Sequence, residues 1–385
     1  MWGSITVKIK GGNQLFKNKK YLVLVLMFIL AIALVACGDS DEDTGDDSDV
    51  DDSSEDASED TSEDASDGEE ITLKFAHEEG QDDVQDLYAN KFKELIEEQS
   101  DGRITVDVYT AGTLGTNMDV LQSLQTGAIE IAITSPGFSG DVIPESNIMS
   151  IPFLFSDNME VNRKVLDESE ALYGPLADEY EAKGLTPFKF WLEGFMWWTA
   201  NKEITTPEDM SGVKMRTMPS NLIIKAYEAM GASPQSTDSG EIYTMLQTKG
   251  IDAQENPLFY VYSSNFHEVQ DYLMDSRHHI YTTVTAANQE FFEGLDEADQ
   301  ELIRDVVQEV NDWSFEMQDE EAEKALEGIQ EEEIELIELT TEQREAFKEM
   351  TMEVREDYKN ESDAAAEILE TIEKEIEEAE QEVGD

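Results

Sequence analysis

The chain has 385 residues, 39% hydrophobic and 9% aromatic, with 26 Lys and Arg against 89 Asp and Glu for a net charge of −63. Such acidity excludes a nucleic-acid binder or a protein held on anionic lipid by charge, because both need Lys and Arg to displace counterions. A single cysteine excludes a disulfide scaffold, and the apolar content is too high for disorder throughout.

Residues 1–38 hold five lysines and no acid. A basic stretch ending Lys17-Asn18-Lys19-Lys20 precedes an apolar run from Tyr21 to Ala36. That length is marginal for a bilayer-spanning helix but fits the apolar region of a secretory signal. The run closes on Leu34-Val35-Ala36-Cys37-Gly38, which resembles the bacterial lipobox. Residues 1–37 are therefore read as a lipoprotein signal segment, with Cys37 lipidated and the chain anchored to the outer face of the cell membrane. An uncleaved N-terminal anchor is the alternative, and it leaves the chain on the same side. Residues 38–70 follow as a disordered acidic linker: 18 acids and no base between 39 and 70, with Val50 the only larger apolar side chain. Such a segment cannot bury enough surface to offset its ordering entropy. It also lacks the spaced ligands and turn of a calcium loop.

Residues 71–385 keep a net charge of −50, and 315 residues predict two lobes. Ile71–Ala76 alternates like a strand. Asp83–Gln99 carries Leu87, Phe92, Leu95 and Ile96 near helical spacing and is broken at Asp101-Gly102. A second strand at Ile104–Tyr109, a helix around Met118–Gln125 and an apolar run at Ile129–Ile133 complete a βαβαβ rhythm. That rhythm predicts an α/β fold with helices on a mainly parallel sheet and a ligand at the carboxyl ends of the strands. The rhythm resumes as two strand signals, Phe188–Trp191 and Trp197–Thr199. Thr206-Pro207-Glu208-Asp209 reads as a helix start, Val213–Met218 as a strand, and Leu222–Met230 as a helix stopped by Gly231. Asp296 caps a long helix with an apolar stripe of Leu302, Ile303, Val306, Val307, Val310, Trp313 and Met317. Thr340 and Gln343 form a capping-box pair. The final stripe, Ala365, Ile368, Ile372, Ile376, Ala379 and Val383, predicts a terminal helix docked on its own domain, with a coiled-coil seam as the alternative.

Motifs for catalysis are scarce. His77, His267, His278 and His279 show no metal-ligand spacing, and an adjacent pair on a strand points to opposite faces, so all four read as structural. There is no nucleophile elbow and no phosphate-cradling glycine loop. With so many acids, any carboxylate pair is uninformative. The chain reads as no enzyme, with no metal and no cofactor.

An ordered series of motifs carries the functional reading: Gly212-Val213-Lys214-Met215-Arg216, Gly231-Ala232, Glu241-Ile242-Tyr243, Leu246-Gln247-Thr248 and Asp252-Ala253-Gln254-Glu255-Asn256-Pro257. It resembles the solute-binding receptors of TRAP (tripartite ATP-independent periplasmic) transporters, the DctP-type family, over essentially all of residues 71–380. The resemblance implies a two-lobed α/β fold of the periplasmic-binding-protein type, with a long helix spanning both lobes. Lobe I would comprise 71–193 plus 282–321, and lobe II 194–281 plus 322–385 with the C-terminal helices. It also implies that the lobes close on a small carboxylate-bearing solute and pass it to the membrane permease subunits.

Further stretches resemble the ectoine-binding receptors of halophiles: Ala76-His77-Glu78-Glu79, Ser135-Pro136-Gly137-Phe138-Ser139-Gly140, Met215-Arg216-Thr217-Met218 and Ala286-Ala287-Asn288-Gln289. Carried over by position, Arg216 would clamp the solute carboxylate with help from Asn256. Glu79 would face cationic ring nitrogens, and Phe138 would pack on the ring with Tyr260 and Tyr281 at two further aromatic positions. Two departures stand out. Ser239 occupies the place of a Trp before Gly-Glu-x-Tyr, and Met196 occupies that of a second Arg found in many sialic-acid and dicarboxylate receptors. Outside this series, Arg216 would read as a surface ion pair, Glu79 as a solvated acid, and the three aromatics as core or lobe-edge residues. A C4-dicarboxylate, a monocarboxylate or a sugar acid is the competing ligand class; a secreted hydrolase and a surface sensor or adhesin are the competing functions. The charge of the body suits a saline or alkaline exterior, where at about 1 M salt a Debye length of roughly 3 Å screens self-repulsion.

Overall fold

The structure, a computed structural model, describes residues 69–384. Cys37, the signal-like segment and most of the acidic linker lie outside the described residues. The strands are β1 (Ile71–Ala76), β2 (Ile104–Tyr109), β3 (Ile131–Thr134), β4 (Leu185–Ala200), β5 (Arg216–Thr217), β6 (Gln235–Ser236), β7 (Ala253–Pro257), β8 (Tyr272–Asp275), β9 (Ile280–Asn288) and β10 (Glu335–Glu338). The helices used below are α1 (Val84–Gln99), α2 (Asn117–Gln125), α3 (Met159–Glu168), α4 (Asn221–Ala229), α5 (Leu258–Ser263), α6 (Glu297–Gln330), α7 (Thr341–Lys359) and α8 (Asp363–Gly384). This mixture of one large sheet flanked by helices is the α/β fold expected.

The first three strands follow the sequence pattern. β1 pairs in parallel with β2, from Ile71 opposite Ile104 to Ala76 opposite Tyr109, and in parallel with β3. α1 stops at Asp101 and Gly102, whose φ values of 51° and 78° are the left-handed reversal that ends helices. Thr116 and Asp119 cap α2 reciprocally, as do Thr340 and Gln343 for α7.

The centre of the sheet is not mainly parallel. The two strand signals at 188–191 and 197–199 belong to one sixteen-residue strand, β4. β9 runs antiparallel to β3 and β4, and β7 and β8 run antiparallel to β4. The order is β10–β8–β4–β9–β3–β1–β2, with β7 also on β4. Alternation of apolar residues reveals a strand but not its direction, which is set by where long-range partners bring the chain back. β4 pairs with β9 over Leu185–Phe195, then inserts between β7 and β8 over Met196–Ala200. A register shift between Leu192 and Gly194 falls just before this change, and Gly194 has φ 133°, a conformation open to glycine and strained for other residues.

Three buried clusters flank this sheet. Phe75, Tyr88, Phe92 and Trp191 pack with the stripe of α6, where Ile303, Val306, Val307, Val310 and Met317 are buried. Asp296 caps α6 through the Asp299 amide at 2.9 Å, and this 34-residue helix packs on α1, β4 and α5. The terminal stripe lies inside its own domain: Ala365, Ile368, Ile372, Ile376 and Ala379 are buried in a cluster with Val161, Leu166 and Phe190. The third cluster joins Trp198, Met215, Tyr227 and Phe347 to Phe138 and Tyr281.

Candidate functional site

The carboxyl end of β1 leads into a tight turn that presents two acids. His77 is buried with Nε2 3.2 Å from Asp86, and Glu78 and Glu79 are each 3% exposed. Gln85, at the start of α1, organises them: its side-chain oxygen accepts from the Glu78 amide at 2.8 Å, and its own amide donates to Glu79 Oε2 at 2.9 Å. Glu79 thus sits at the positive end of α1. The end of β3 supplies the next wall. The Ser135 amide donates to Glu78 Oε1 at 3.1 Å, and the single turn Pro136–Ser139 carries Phe138. A Cβ on Gly137 would lie 2.2 Å from Met218 Sδ, so glycine lets this turn close against Met218.

The opposite wall comes from β5, β7, α5 and β9. Arg216 in β5 is 2% exposed, and its Nε and Nη2 donate to the Thr237 carbonyl at 3.2 and 2.9 Å. It forms no ion pair among the described residues, so its reading as a surface ion pair does not hold. Asn256 in β7 donates to the Gln254 side chain, Tyr260 sits on α5, and Tyr281 is the second residue of β9. All six predicted residues, Glu79, Phe138, Arg216, Asn256, Tyr260 and Tyr281, line one inner cavity of about 20 Å³. Glu78, Asn117, Met218 and Ser239 line it too. An outer cavity of about 530 Å³ shares Asn117, Ser239 and Tyr260 with the inner one, so Ser239 stands at the opening between them.

The electrostatics separate the two walls. Burial holds the Arg216 guanidinium below its ordinary value, partly offset by Tyr260 and Glu255. Burial pushes the Glu78 carboxyl up to about 8. It also drives Glu79 well above the usual range, helped by Glu193, and pushes Glu193 up to about 7. One end of the cavity therefore carries a cation without an ion-pair partner and the other a group of buried carboxyls. A carboxylate fits the first through the planar guanidinium fork; a cation or N–H donor fits the second. Another cavity, of about 520 Å³, is lined by Arg277, Arg344, Lys348 and Arg355. There each cation already has an acid partner, Asp275, Asp157, Glu345 and Glu373 respectively, so that cavity offers a ligand little charge.

Behind Arg216 and Asn256 lies a polar cluster that sequence reasoning missed. Glu255 Oε2 is 2.6 Å from His278 Nε2 and 3.3 Å from His279 Nε2, and it accepts from the Tyr227 hydroxyl. The adjacent histidines therefore reach one carboxylate, not opposite faces of a strand. They precede β9 in irregular backbone, and Arg277, at φ 44°, turns the chain so that both rings point inward. Burial opposes ionisation of Glu255, but the two imidazoles outweigh it and hold the carboxyl well below its usual range. Burial pushes His278 down to about 4 despite that carboxylate. Among the described residues, Glu255, His278 and His279 are the one His/Cys/Asp/Glu group close enough to share a metal ion. Their hydrogen bonds to one another already account for their arrangement.

Residues 75–361 match DctP, bacterial extracellular solute-binding protein, family 7. The chain belongs to this family. It is a solute-binding receptor of the TRAP type, as its likeness to solved TRAP receptors shows. It is 40% identical to the ectoine-binding periplasmic protein TeaA of Halomonas elongata, over 67% of this chain and 75% of TeaA. It is 36% identical to the ectoine/5-hydroxyectoine-binding periplasmic protein UehA of Ruegeria pomeroyi, over 66% and 75%. It is 30% identical to the 2,3-diketo-L-gulonate-binding periplasmic protein YiaO of Escherichia coli, over 67% and 78%. The high-resolution structure of the Halomonas elongata protein superposes with a TM-score of 0.78 at 37% identity, covering 80% of this chain and 99% of that one. The receptor thus has the two-lobed fold of TRAP periplasmic binding proteins, and its relatives are extracytoplasmic. Among the described residues no helix is long and apolar enough to cross a membrane.

Proposed function

We propose that the receptor captures a zwitterion of the ectoine or hydroxyectoine type. Arg216 and Asn256 hold its carboxylate, Glu79 meets its cationic nitrogens, and Phe138, Tyr260 and Tyr281 pack on its ring. The observation that carries this reading is a buried Arg216 without an acid partner lining the same small cavity as Glu79. A dianion would leave the buried acids facing a like charge. The lobes take the boundaries 71–193 plus 282–321 and 194–281 plus 322–385, so that closure brings Glu79 and Phe138 against Arg216 and Asn256. Lipidated Cys37 tethers the receptor to the outer face of the membrane, beside the permease subunits that receive the solute. No catalytic step is assigned to it.

A sugar acid is the second reading. Ser239 opens the inner cavity onto an outer one lined by Gln81, Thr116, Asn117, Ser263 and Ser264, which suits a longer hydroxylated body. Calorimetric titration of the purified chain in high salt with ectoine, hydroxyectoine, glycine betaine, succinate, pyruvate and a uronate decides between them. Micromolar or tighter binding of ectoine supports the first reading. Binding of the uronate alone replaces it with the second.

A further inference from the structure

The buried acids of the site include one that solute recognition leaves without a role. Glu193 lies at the register shift of β4, within the stretch paired with β9, and it is 3% exposed. Its Oε1 accepts from Gln85 Nε2 at 2.9 Å, and its Oε2 has no hydrogen-bond partner among the described residues. Gln85 therefore binds both acids: its side chain holds Glu193 and its backbone amide holds Glu79. Both acids are thus held out of water in one cluster on Gln85, where each acts on the other's ionisation. The groups around them bring no neutralising ion pair. Asp83 adds like charge, Glu78 is pushed by burial toward its neutral form with its Oε2 unpartnered, and Tyr260 and Tyr281 are neutral phenols. Thr283 offers a hydroxyl, and Arg216 lines the same cavity without forming an ion pair with any of these acids. Two apposed carboxyls out of water do not both ionise, so a proton stays between them.

We propose that Glu193 is a positioning residue that holds a proton against Glu79, and that a cationic group on the solute competes with this proton. In the free receptor the shared proton keeps the pair at one negative charge. When a cation reaches Glu79, the carboxyl O–H bond breaks, the proton passes to bulk solvent, and the cation takes over neutralisation of the pair. No bond to the solute forms and nothing is oxidised. This inference rests on the reading of the site as a receptor for a zwitterion. It adds that such capture is linked to proton release, and that a simple carboxylate, bringing no cation, releases none.

Two measurements on the full chain test it. The first needs no solute: infrared difference spectra of free wild-type and Glu193→Gln receptor at neutral pH. The wild type should show a protonated-carboxyl carbonyl stretch that Glu193→Gln loses, leaving a component from Glu78. Identical carboxyl bands in the two proteins overturn the proposal, whatever the solute proves to be. The second is ectoine titration in buffers of different ionisation enthalpy between pH 6 and 8. Wild type should release close to one proton at the acid end and progressively less toward the alkaline end. Its affinity should rise by about tenfold per pH unit where the proton is displaced, and Glu193→Gln should flatten both trends. Ectoine binding with no proton release at any pH overturns the linkage while leaving the receptor reading intact. Absence of ectoine binding sinks the solute assignment and leaves the infrared result to decide the pair.

Discussion

Arg216 is expensive to bury. Its guanidinium forms no ion pair among the described residues, and only the Thr237 carbonyl accepts from it. A solute carboxylate that supplies the missing charge gains a desolvated bidentate contact, so Arg216→Ala should weaken binding of the cognate solute by at least about 2 kcal/mol in calorimetry. Affinity unchanged by this substitution would remove Arg216 from the clamp. Glu78 gives a prediction of the opposite kind. A carboxyl whose folded-state value is raised to about 8 favours the folded state while protonated, and that contribution is lost as pH rises from its ordinary value near 4.5 through 8. Glu78→Gln keeps an oxygen for the Ser135 amide and removes the titration. The melting temperature of the variant should therefore gain on the wild type steadily between pH 5 and 8. A gap that stays constant would mean that Glu78 is already paired or hydrated.

At the scale of elements, the strand–helix punctuation was legible. The caps at Thr206, Asp296 and Thr340 and the breaks at Gly102 and Gly231 depend on neighbours within a few residues, and local chemistry determines them. The terminal stripe was legible as a stripe, but its partner was not. Ile372 is fully buried against residues more than two hundred positions away, among them Val161 and Leu166. Ile372→Ala should cost about 2–5 kcal/mol of unfolding free energy by denaturant titration, the range for emptying a well-packed aliphatic site. Solute affinity should stay the same, since α8 does not line the cavity. A loss below 0.5 kcal/mol would show a helix held only at its surface.

For the whole molecule, charge is the dominant property. A body at −50 repels itself over distances that salt shortens, from a Debye length of about 10 Å at 0.1 M to roughly 3 Å at 1 M. The thermal midpoint should rise as sodium chloride goes from 0.1 to 1 M, with most of the gain at the lower concentrations. A midpoint indifferent to salt would mean that the acids are spaced widely enough to be screened by water alone. The buried Glu255–His278–His279 cluster should contribute little to that trend, because groups held out of solvent are screened far less by salt.

Legibility divides by how far a feature reaches along the chain. Strand and helix identities and the capping residues follow from neighbouring residues. The motif series, read as a family resemblance, named six of the residues that line the inner cavity. Residue types alone would have left Arg216 on the surface and the aromatics in the core or at a lobe edge. Three things were decided only by tertiary structure. Strand direction at the centre of the sheet depends on β9 returning beside β4. The adjacent histidines converge on Glu255 because Arg277 turns the backbone. Glu193 joins Glu79, 114 positions earlier in the chain, because β4 lies in the middle of the sheet and both acids bond Gln85. Periodicity encodes which face of an element is buried; it says nothing about which distant acid will share that burial, and a shared proton is a property of the pair.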